Sequence, residues 1–440
     1  MNGQSLTERH ALHRFARRAG VSVTAMVLAA TAPGAQQVTA SVPVTLSGEI
    51  RARSEWDRPG GTLAEDVFTY LRTRLGVRAA PADNLHLYFQ LQDSRVYGAS
   101  AGAATGNPNV TDLHQAYFDI VADWKARKVT TRVGRQEVAF GNERLIGQVG
   151  WSNTGRTFDA ARVLLAPAGE AAPWSATLFV ATVDEAGRRV GAPASGTGNV
   201  SDRGVIGTWF NHTLQGGMLE ATLLYDAGAK YRSYTESNRV TFDTRFKSRA
   251  AAALGFDAEV AWQGGSQRYT PSTGGSVGQD VSAWMLAGRF GRMAAPGRKT
   301  SVIIGADILS GDARQTDGEY NAFNTMYATN HQYYGFMDLF SDPAARTNDA
   351  GLADLFGSVS HQLTDRTTLR MDLHRFATQA GGAGEIGWEF DVIAPIKLTG
   401  GSALELGYTT FRASDAAPAI SLGTANHVRH WGYLHLRAGF

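Results

Sequence analysis

The chain has 440 residues, of which 43% are hydrophobic and 19% charged, with 50 glycines, 14 tyrosines and no cysteine. The lack of cysteine excludes disulfide bonds and thiolate chemistry, and the slightly negative mean hydropathy excludes a bundle of membrane helices. The formal net charge of +2 comes from the N-terminus, because residues 1–35 carry +3 and the remainder −1. No basic field therefore argues for a nucleic-acid partner.

The N-terminal segment has the layout of a secretory signal peptide. A basic stretch that ends in Arg17 and Arg18 precedes the apolar run VSVTAMVLAATA, and small residues follow in PGAQQ. The apolar run is too short to anchor the chain across a bilayer. An amphipathic start of a cytosolic protein is the alternative. We expect residues 1–35 to be a signal peptide, cleaved near Ala35, and residues 42–440 to form a single domain.

From residue 42 onward, apolar and charged residues alternate with the period of a β-strand. In VPVTLSGEIRARSEW one parity carries apolar residues, and the other carries Glu49, Arg51, Arg53 and Glu55. Successive side chains of a strand point to opposite faces, so this segment has an apolar face and a charged face. The same pattern returns in DVFTYLRTRLGVR, NLHLYFQLQ, RVTFDTRFK, LGFDAEVAW and TLRMDLH.

The spacing of these segments predicts a meander. About eighteen segments of roughly 9 to 13 residues fit into the chain, and this length suits tilted membrane strands. The segments near 205–212 and 352–361 are weak. Short and long connections alternate, which is expected when all short turns lie at one end. The short connections lie near 79–84, 122–128, 214–217, 363–366 and 398–402, and the long ones near 94–111, 137–156, 184–203, 264–279 and 310–350.

These patterns predict an all-β protein, namely a transmembrane up-and-down antiparallel β-barrel of about 18 strands with long extracellular loops and short periplasmic turns. Closure removes the open edges that a sheet must otherwise protect. A large soluble β-protein is the alternative, but its strands rarely carry so many charges opposite a near-complete apolar row. The last segment, WGYLHLRAGF, is then the closing strand, with Leu434, Leu436 and Phe440 towards lipid.

Several stretches go beyond a generic barrel. VGRQEVAFGNERLIGQVGWSNTGRTFDAARV (133–163) and FNTMYATNHQYYGFMDLF (323–340), supported by LQDSRVYG and DLHQAYFDI, resemble the alginate export family of outer-membrane channels. The resemblance extends over essentially the whole predicted mature chain. It implies a monomeric barrel of about eighteen strands that lets an anionic polysaccharide diffuse out through a narrow, arginine-lined pore.

The charged faces must line the lumen, because an Arg or Lys at the lipid midplane would cost about 2–4 kcal/mol. Arginine suits an anion path because its planar guanidinium matches carboxylates and stays charged. Pairing of these arginines with acidic residues across strands is the competing structural interpretation. The residues predicted to line the pore are Arg51, Arg53, Arg72, Arg74, Arg132, Arg239, Arg245, Arg370, Asp243, Asp372, Glu389 and Asp391.

Two loops suggest other chemistry, which we do not favour. GRQEVAFGNERLIG lacks the residue order of a phosphate-binding loop, so we expect it to fold and narrow the pore. ATNHQYYGFMD contains His331 and Asp338 but no second histidine at metal-binding spacing. Its aromatic residues suit either stacking on sugars or packing a plug, and we favour the plug. We predict no metal, no cofactor and no catalytic residue.

The predicted function is passive diffusion of an alginate-like anionic polysaccharide, or of a related anionic solute, across the outer membrane of a Gram-negative-type bacterium. The expected partners are outer-membrane lipid, the solute and, as a further candidate, a periplasmic export complex. The alternatives are a porin for small solutes, a non-conducting structural or adhesive barrel, and an outer-membrane enzyme. Ser360, His361 and His374 are present, but no motif organises them, so we expect no enzymatic activity.

Overall fold

The computed structural model describes the chain from residue 42 to residue 440 with gaps, and the predicted signal peptide lies outside the described residues. Residues 43–440 form one unit. In the part of the chain that is described, no helix is long and apolar enough to cross a membrane. The described ranges are 42–59, 64–97, 110–169, 172–184, 203–231, 234–249, 253–270, 275–314, 317–381, 384–415 and 427–440.

Strands dominate these ranges, as the alternation of apolar and polar residues predicts. Eighteen strands have ten residues or more, and one, β14, has two. The weakly predicted segments near 205–212 and 352–361 are both strands. The strands are β1 (Val44–Arg58), β2 (Asp66–Ala82), β3 (Leu85–Tyr97), β4 (Val110–Trp124), β5 (Arg127–Gln136), β6 (Phe158–Pro167), β7 (Trp174–Asp184), β8 (Arg203–Thr213), β9 (Gly217–Tyr231), β10 (Tyr234–Ser248), β11 (Gly255–Tyr269), β12 (Val277–Arg292), β13 (Thr300–Leu309), β14 (Glu319–Tyr320), β15 (Leu352–Gln362), β16 (Thr368–Ala377), β17 (Glu385–Lys397), β18 (Ala403–Ala413) and β19 (Val428–Gly439).

The long strands close into an antiparallel barrel of eighteen strands. Each pairs with its neighbour in sequence, β13 pairs with β15, and β19 returns to β1, where Glu49 lies opposite Gly439. The short β14 pairs in parallel with β12 at Asp280 and Val281. Closure leaves the wall without an open sheet edge, as a bilayer requires. The predicted fold class is confirmed.

The two ends of the barrel differ in the lengths of their connections, but short and long connections alternate less regularly than predicted. At one end, eight connections of two to seven residues join the strands, and we call this the short-turn end. The other end carries the longest connections, 137–157 and 310–351, but there β9 also ends at Tyr231, close to the start of β10 at Tyr234. The long connection predicted at 264–279 is wrong, because β11 and β12 continue to Tyr269 and from Val277.

The error at 264–279 has a physical reason in two buried glutamines. The composition of this segment, rich in Gly, Ser and Gln, is typical of a loop. In the structure, however, Gln267 lies opposite Gln279 in the β11–β12 register, and the two amides are joined by a hydrogen bond of 3.3 Å. The Gln279 amide also donates to the carbonyl oxygen of Glu319 at 3.2 Å. Polar residues thus extend the strands because they have partners inside the barrel.

The predicted parity holds along the wall. On β1, Ile50 is 58% exposed whereas Arg51 is 2% exposed. On the closing strand, Leu434 and Leu436 are exposed on the outer face whereas Tyr433 is buried. The outer face is therefore a continuous apolar surface of the kind that lipid covers, and the charged residues lie within.

Candidate pore interior

Two connections fold into the barrel and contact each other. We call residues 137–157, between β5 and β6, the first inner loop, and residues 310–351, between β13 and β15, the second inner loop. The Tyr327 amide donates to the Leu145 carbonyl at 2.9 Å, and the Gly147 amide donates to the Tyr327 carbonyl at 2.8 Å. These bonds make one short parallel bridge, so the two loops form a single folded unit.

The inner loops are fastened to strands all around the barrel. On one side, the Ser94 hydroxyl of β3 donates to the Asn153 carbonyl at 2.9 Å. On the other, the Met337 amide donates to the Glu389 carboxylate of β17 at 3.0 Å. Contacts to such distant strands place both loops inside the lumen. The prediction that the first inner loop folds to narrow the pore is therefore confirmed.

Arg144, in the first inner loop, is a charged side chain that is only 1% exposed. Its guanidinium donates to Glu259 at 3.0 Å and to Asp307 at 3.2 Å, and it stacks 3.8 Å from the ring centre of Tyr333. Burial alone would lower the pKa of Arg144, but the carboxylates of Asp307 and Glu259 outweigh burial and raise it. Arg144 thus stays charged and ties the loops to the acidic wall.

The aromatic residues of the second inner loop pack against other residues inside the barrel and are not exposed to the lumen. Tyr333 and Tyr334 are buried, and burial raises the pKa of the Tyr333 hydroxyl to about 12. His331 stacks on Trp151 of the first inner loop with ring centres 4.1 Å apart, and its Nδ1 lies 2.9 Å from Asp338. The prediction that these aromatics pack a plug is confirmed.

Acidic residues line the lumen along β9 to β17, and the inner loops cover them. A cavity beside Glu220, Asp243 and Glu259 has a volume of only about 10 Å³. We call this the acidic side of the lumen. Its buried carboxylates on these strands are Glu220, Asp226, Asp243, Asp257, Glu259, Asp307, Asp354, Asp372, Glu389 and Asp391.

The opposite side, formed by β1 to β6, holds open space that three arginines line. A cavity of about 480 Å³ lies between these strands and the first inner loop. We call this the arginine side. Arg132 makes a double hydrogen bond to Asp119 at 2.7 and 2.9 Å and stacks 3.7 Å over Tyr117. The cavity is lined by Arg78, Tyr88, Gln115, Tyr117, Arg132, Glu137, Ala139, Gln148 and Arg162.

Like charges face each other directly on the arginine side. Arg132 lies opposite Arg162 in the β5–β6 register, and Arg51 lies opposite Arg72 in the β1–β2 register. Such pairs destabilise a sheet unless other groups compensate. For Arg51 compensation comes from the first inner loop, because its guanidinium donates to the carbonyls of Gly150 at 2.6 Å and Ser152 at 2.7 Å.

Two carboxylates beside the cavity moderate this positive charge. Asp119, which binds Arg132, also lies 3.7 Å from Arg78. Glu137, just after β5, lies 3.1 Å from Arg74 and 2.9 Å from His114. Burial raises the pKa of Glu137, but the hydrogen bond from His114 and the charge of Arg74 outweigh burial and lower the pKa. Glu137 therefore remains ionised at neutral pH.

The structure separates the predicted pore residues of β1 to β5 by their contacts. Arg132 alone among the twelve lines the large cavity. Arg53 pairs with Glu55 at 2.7 Å and Arg72 with Glu49 at 2.8 Å, and both also bond the first inner loop. Arg51 bonds the same loop, and Arg74 bonds Gln92 and Glu137.

The remaining predicted residues lie on the acidic side. Arg245 pairs with Asp257 and Glu220, Arg370 pairs with Asp372, and Arg239 donates to Gln267 at 3.2 Å. Asp243, Glu389 and Asp391 are buried inside the barrel. Arg245 is therefore paired across strands and Arg370 within its own strand. The contribution of these residues to a solute path stays a prediction.

The sequence did not identify Arg162, Arg78, Tyr88 and Tyr117 as pore residues, although all four line the large cavity. Arg78 and Tyr88 share the inward parity of their segments, which was the available signal. Arg162 stands beside Arg132 only through the strand register, which the sequence does not contain.

Ser360, His361 and His374 do not come together as an enzyme site. Ser360 and His361 are consecutive on β15, so their side chains leave opposite faces of the wall. His361 Nδ1 lies 2.8 Å from the Thr300 hydroxyl near the short-turn end. His374 lies elsewhere, among carboxylates inside the barrel.

A closed eighteen-stranded barrel with an apolar outer face, a charged interior and loops folded into its lumen defines an outer-membrane channel of the porin class. The chain belongs to the alginate export family, whose model matches residues 42–420. A search of curated proteins finds no match.

Solved structures with a similar fold are outer-membrane porins of other sequence. The chain resembles Pseudomonas aeruginosa OccK2 (OpdF) at 10% identity, with a TM-score of 0.57 over 90% of this chain and 97% of that one. A BenF-like porin from Pseudomonas fluorescens Pf-5 gives the same identity and TM-score, over 90% and 98%. Pseudomonas aeruginosa OpdK, solved with vanillate, matches at 9% identity and a TM-score of 0.52, over 90% and 98%. At these identities the likeness concerns the fold alone.

Proposed function

We propose that the protein is a passive channel for anionic carbohydrate, with alginate-like polyuronate as the solute class, and that solutes cross on the arginine side of the lumen. The supporting observation is the division of the lumen: the acidic side is filled by the inner loops, whereas the cavity of about 480 Å³ lies against Arg78, Arg132 and Arg162. An anion in this cavity meets these arginines, whereas the two neighbouring carboxylates, Asp119 and Glu137, are held in ion pairs.

The residue types of the arginine side suit a uronate. Guanidinium groups pair with carboxylates in a planar geometry and remain charged at any physiological pH. Tyr88 and Tyr117 add aromatic faces for the C–H faces of sugar rings. Several weak contacts along a path let a solute enter and leave, as conduction requires.

We further propose that residues 1–35 are removed on export, that the barrel acts as a monomer, and that its long-loop end faces outward. A periplasmic export complex remains a candidate partner. A second candidate function is a porin for small carboxylates. OpdK, which shares the fold, was solved with vanillate, and an arginine beside a tyrosine fits a small aromatic carboxylate as well as a sugar acid.

Single-channel recording in planar bilayers tests the proposal. Oligomers of mannuronate should interrupt the current at lower concentration than neutral maltooligosaccharides of the same length, because the arginine side retains only the anions. Vanillate serves as the small-carboxylate probe. Block by vanillate without block by the oligouronate would favour the second candidate, and a channel that does not conduct would contradict both.

A further inference from the structure

A cluster of ionisable groups on β15 to β17 takes no part in the proposed solute path. Its members face the lumen on the acidic side, and all are at least nine-tenths buried. They come from three neighbouring strands, so the sequence does not bring them together. They are Asp354, Asp372, His374, Glu389 and Asp391.

The histidine is oriented towards two carboxylates. His374 Nδ1 lies 2.9 and 3.0 Å from the two oxygens of Asp354, whereas its Nε2 faces Asp391 at 3.8 Å. Asp372 lies directly opposite Asp391 in the β16–β17 register. One nitrogen or oxygen atom of each of Asp372, His374 and Asp391 lies within 4.8 Å of the other two.

A second observation is that polar atoms aimed at this point have no partner. Thr409 and Glu389 lie beside Asp391, but among the described residues neither carboxylate oxygen of Asp391 nor the Thr409 hydroxyl makes a hydrogen bond of good geometry. Thr409 lies opposite Asp391 on β18 and is fully buried. Burying a charge or hydroxyl without a partner is costly, so this arrangement calls for a group that the protein chain does not supply.

The charges around the cluster point to a cation. Asp354, Asp372, Glu389 and Asp391 bring four carboxylates together, and Arg370 pairs with Asp372 at 2.7 Å. Glu389 accepts a hydrogen bond from the Met337 amide. Arg289, on β12, lies 3.2 Å from Asp307. Acidic groups therefore exceed the nearby arginines, and a divalent ion would reduce the imbalance.

We propose that Asp372, His374 and Asp391 bind one divalent transition-metal ion of the Zn²⁺ type. One imidazole nitrogen with two carboxylates is a donor set that such ions accept. Ligands about 2.1 Å from a tetrahedral ion lie roughly 3.4 Å apart, so a small side-chain rotation closes the observed spacing. Asp354 orients His374 by binding Nδ1, the arrangement that holds metal-binding histidines in place.

The site lies next to the point where the second inner loop is attached to the barrel wall. Glu389 neighbours Asp391 on β17 and holds the Met337 amide of the second inner loop. An ion between Asp372, His374 and Asp391 would fix the wall at the point where this loop is attached. Metal binding should therefore stabilise the folded barrel by mass action, whether or not the protein conducts uronates.

The test uses the purified full-length barrel in detergent, stripped with EDTA and then titrated with ZnCl₂. The readouts are zinc per chain after gel filtration and the thermal unfolding temperature. We expect one zinc per chain and a higher unfolding temperature for the wild type. Asp391→Asn should lower the affinity at least tenfold. Asp338→Asn, at the separate acid–histidine pair with His331, is the matched control and should bind as the wild type does.

Stability without metal provides a second readout. In EDTA, Asp391→Asn should unfold at the same temperature as the wild type or a higher one, because the variant lacks an unpartnered buried charge. Co²⁺ gives a readout that needs no variant, since three protein ligands should produce the intense visible absorption of a low-coordinate ion. A wild type that binds no Zn²⁺ and leaves Co²⁺ with the spectrum of the free aqueous ion would overturn the proposal. Unchanged zinc binding by folded Asp391→Asn would do the same.

Discussion

Arg78 and Arg162 are the side chains on which the proposed anion path depends most. Both line the large cavity, and neither was among the pore residues predicted from sequence. We expect Arg78→Gln together with Arg162→Gln to lower the preference for anions severalfold, since two positive charges leave the path while the inner loops keep their anchors. The reversal potential in a KCl gradient measures this change.

A matched variant controls for a general loss of charge. Arg366→Gln, in the connection between β15 and β16, removes a charge away from the cavity and should leave the reversal potential unchanged. If the double variant at Arg78 and Arg162 were as anion-selective as the wild type, these residues would not belong to the path.

Arg144 fastens the inner loops to the acidic wall, so its replacement should destabilise the folded barrel. Arg144→Met removes the cation between Glu259 and Asp307 and leaves both carboxylates buried without it. Breaking a buried ion pair from one side costs about 3–5 kcal/mol, so the folded barrel should unfold at a markedly lower denaturant concentration. Loosened inner loops should also raise the single-channel conductance.

The control at this position keeps the charge. Arg144→Lys should lie between the wild type and Arg144→Met, because an ammonium group can serve one carboxylate but not the whole set of partners. Equal stability of all three proteins would show that Arg144 does not fasten the loops.

The parity of the strands determines at which positions an Arg substitution should impair insertion into the membrane. Leu223 lies in the middle of β9 on the outer face, whereas Leu87 lies near the short-turn end of β3. An Arg at the bilayer midplane costs about 2–4 kcal/mol and near the interface about 0–1 kcal/mol. Leu223→Arg should therefore reduce assembly strongly and Leu87→Arg weakly.

The inward neighbour of Leu87 is the control for this series. His86 lies opposite Asp119, which is buried inside the barrel, so His86→Arg should assemble like the wild type. Heat-modifiable migration in SDS gels after insertion into liposomes measures the folded fraction. The same loss at His86 and Leu223 would contradict the assigned faces.

The second inner loop depends on a glycine next to Glu389. Gly335 has a φ of +84°, and a Cβ at this position would collide with the Glu389 carboxylate. We expect Gly335→Ala to destabilise the barrel by about 1–3 kcal/mol through backbone strain, together with displacement of the loop. Equilibrium unfolding in detergent measures the loss.

Gly297 offers a control with a similar backbone. Its φ is +74°, but nothing lies within 4 Å of a Cβ there. Gly297→Ala should therefore cost less than Gly335→Ala. Equal costs would mean that the approach to Glu389 contributes nothing.

The elements were predictable where a single local rule decides them. Alternation along β1, β2 and β19 gave the strands and their outer faces, because lipid selects apolar residues on one parity whatever the neighbouring strand holds. The continuation of β11 and β12 to Gln267 and Gln279 was not predictable, since it depends on a partner carbonyl, that of Glu319, from a distant part of the chain.

The pore interior was less predictable for the same reason. Parity placed Arg51, Arg72 and Asp391 inside the barrel, but it could not tell which of them the inner loops would cover. That depends on contacts such as those of Arg51 with Gly150 and Ser152, about a hundred residues away. The arginine side therefore became visible only in the folded chain.

For the whole molecule, we expect anions to cross on the arginine side, because the inner loops fill the acidic side. The chain contains no cysteine, so single cysteines can be placed without background. Ala139 lines the large cavity, and Thr222 lines the small one on the acidic side.

The most direct measurement is the current through open channels of Ala139→Cys and Thr222→Cys during exposure to a negatively charged methanethiosulfonate reagent. We expect rapid modification and a lasting fall in current for Ala139→Cys, and no change for Thr222→Cys. A fall in current for Thr222→Cys with none for Ala139→Cys would contradict this expectation.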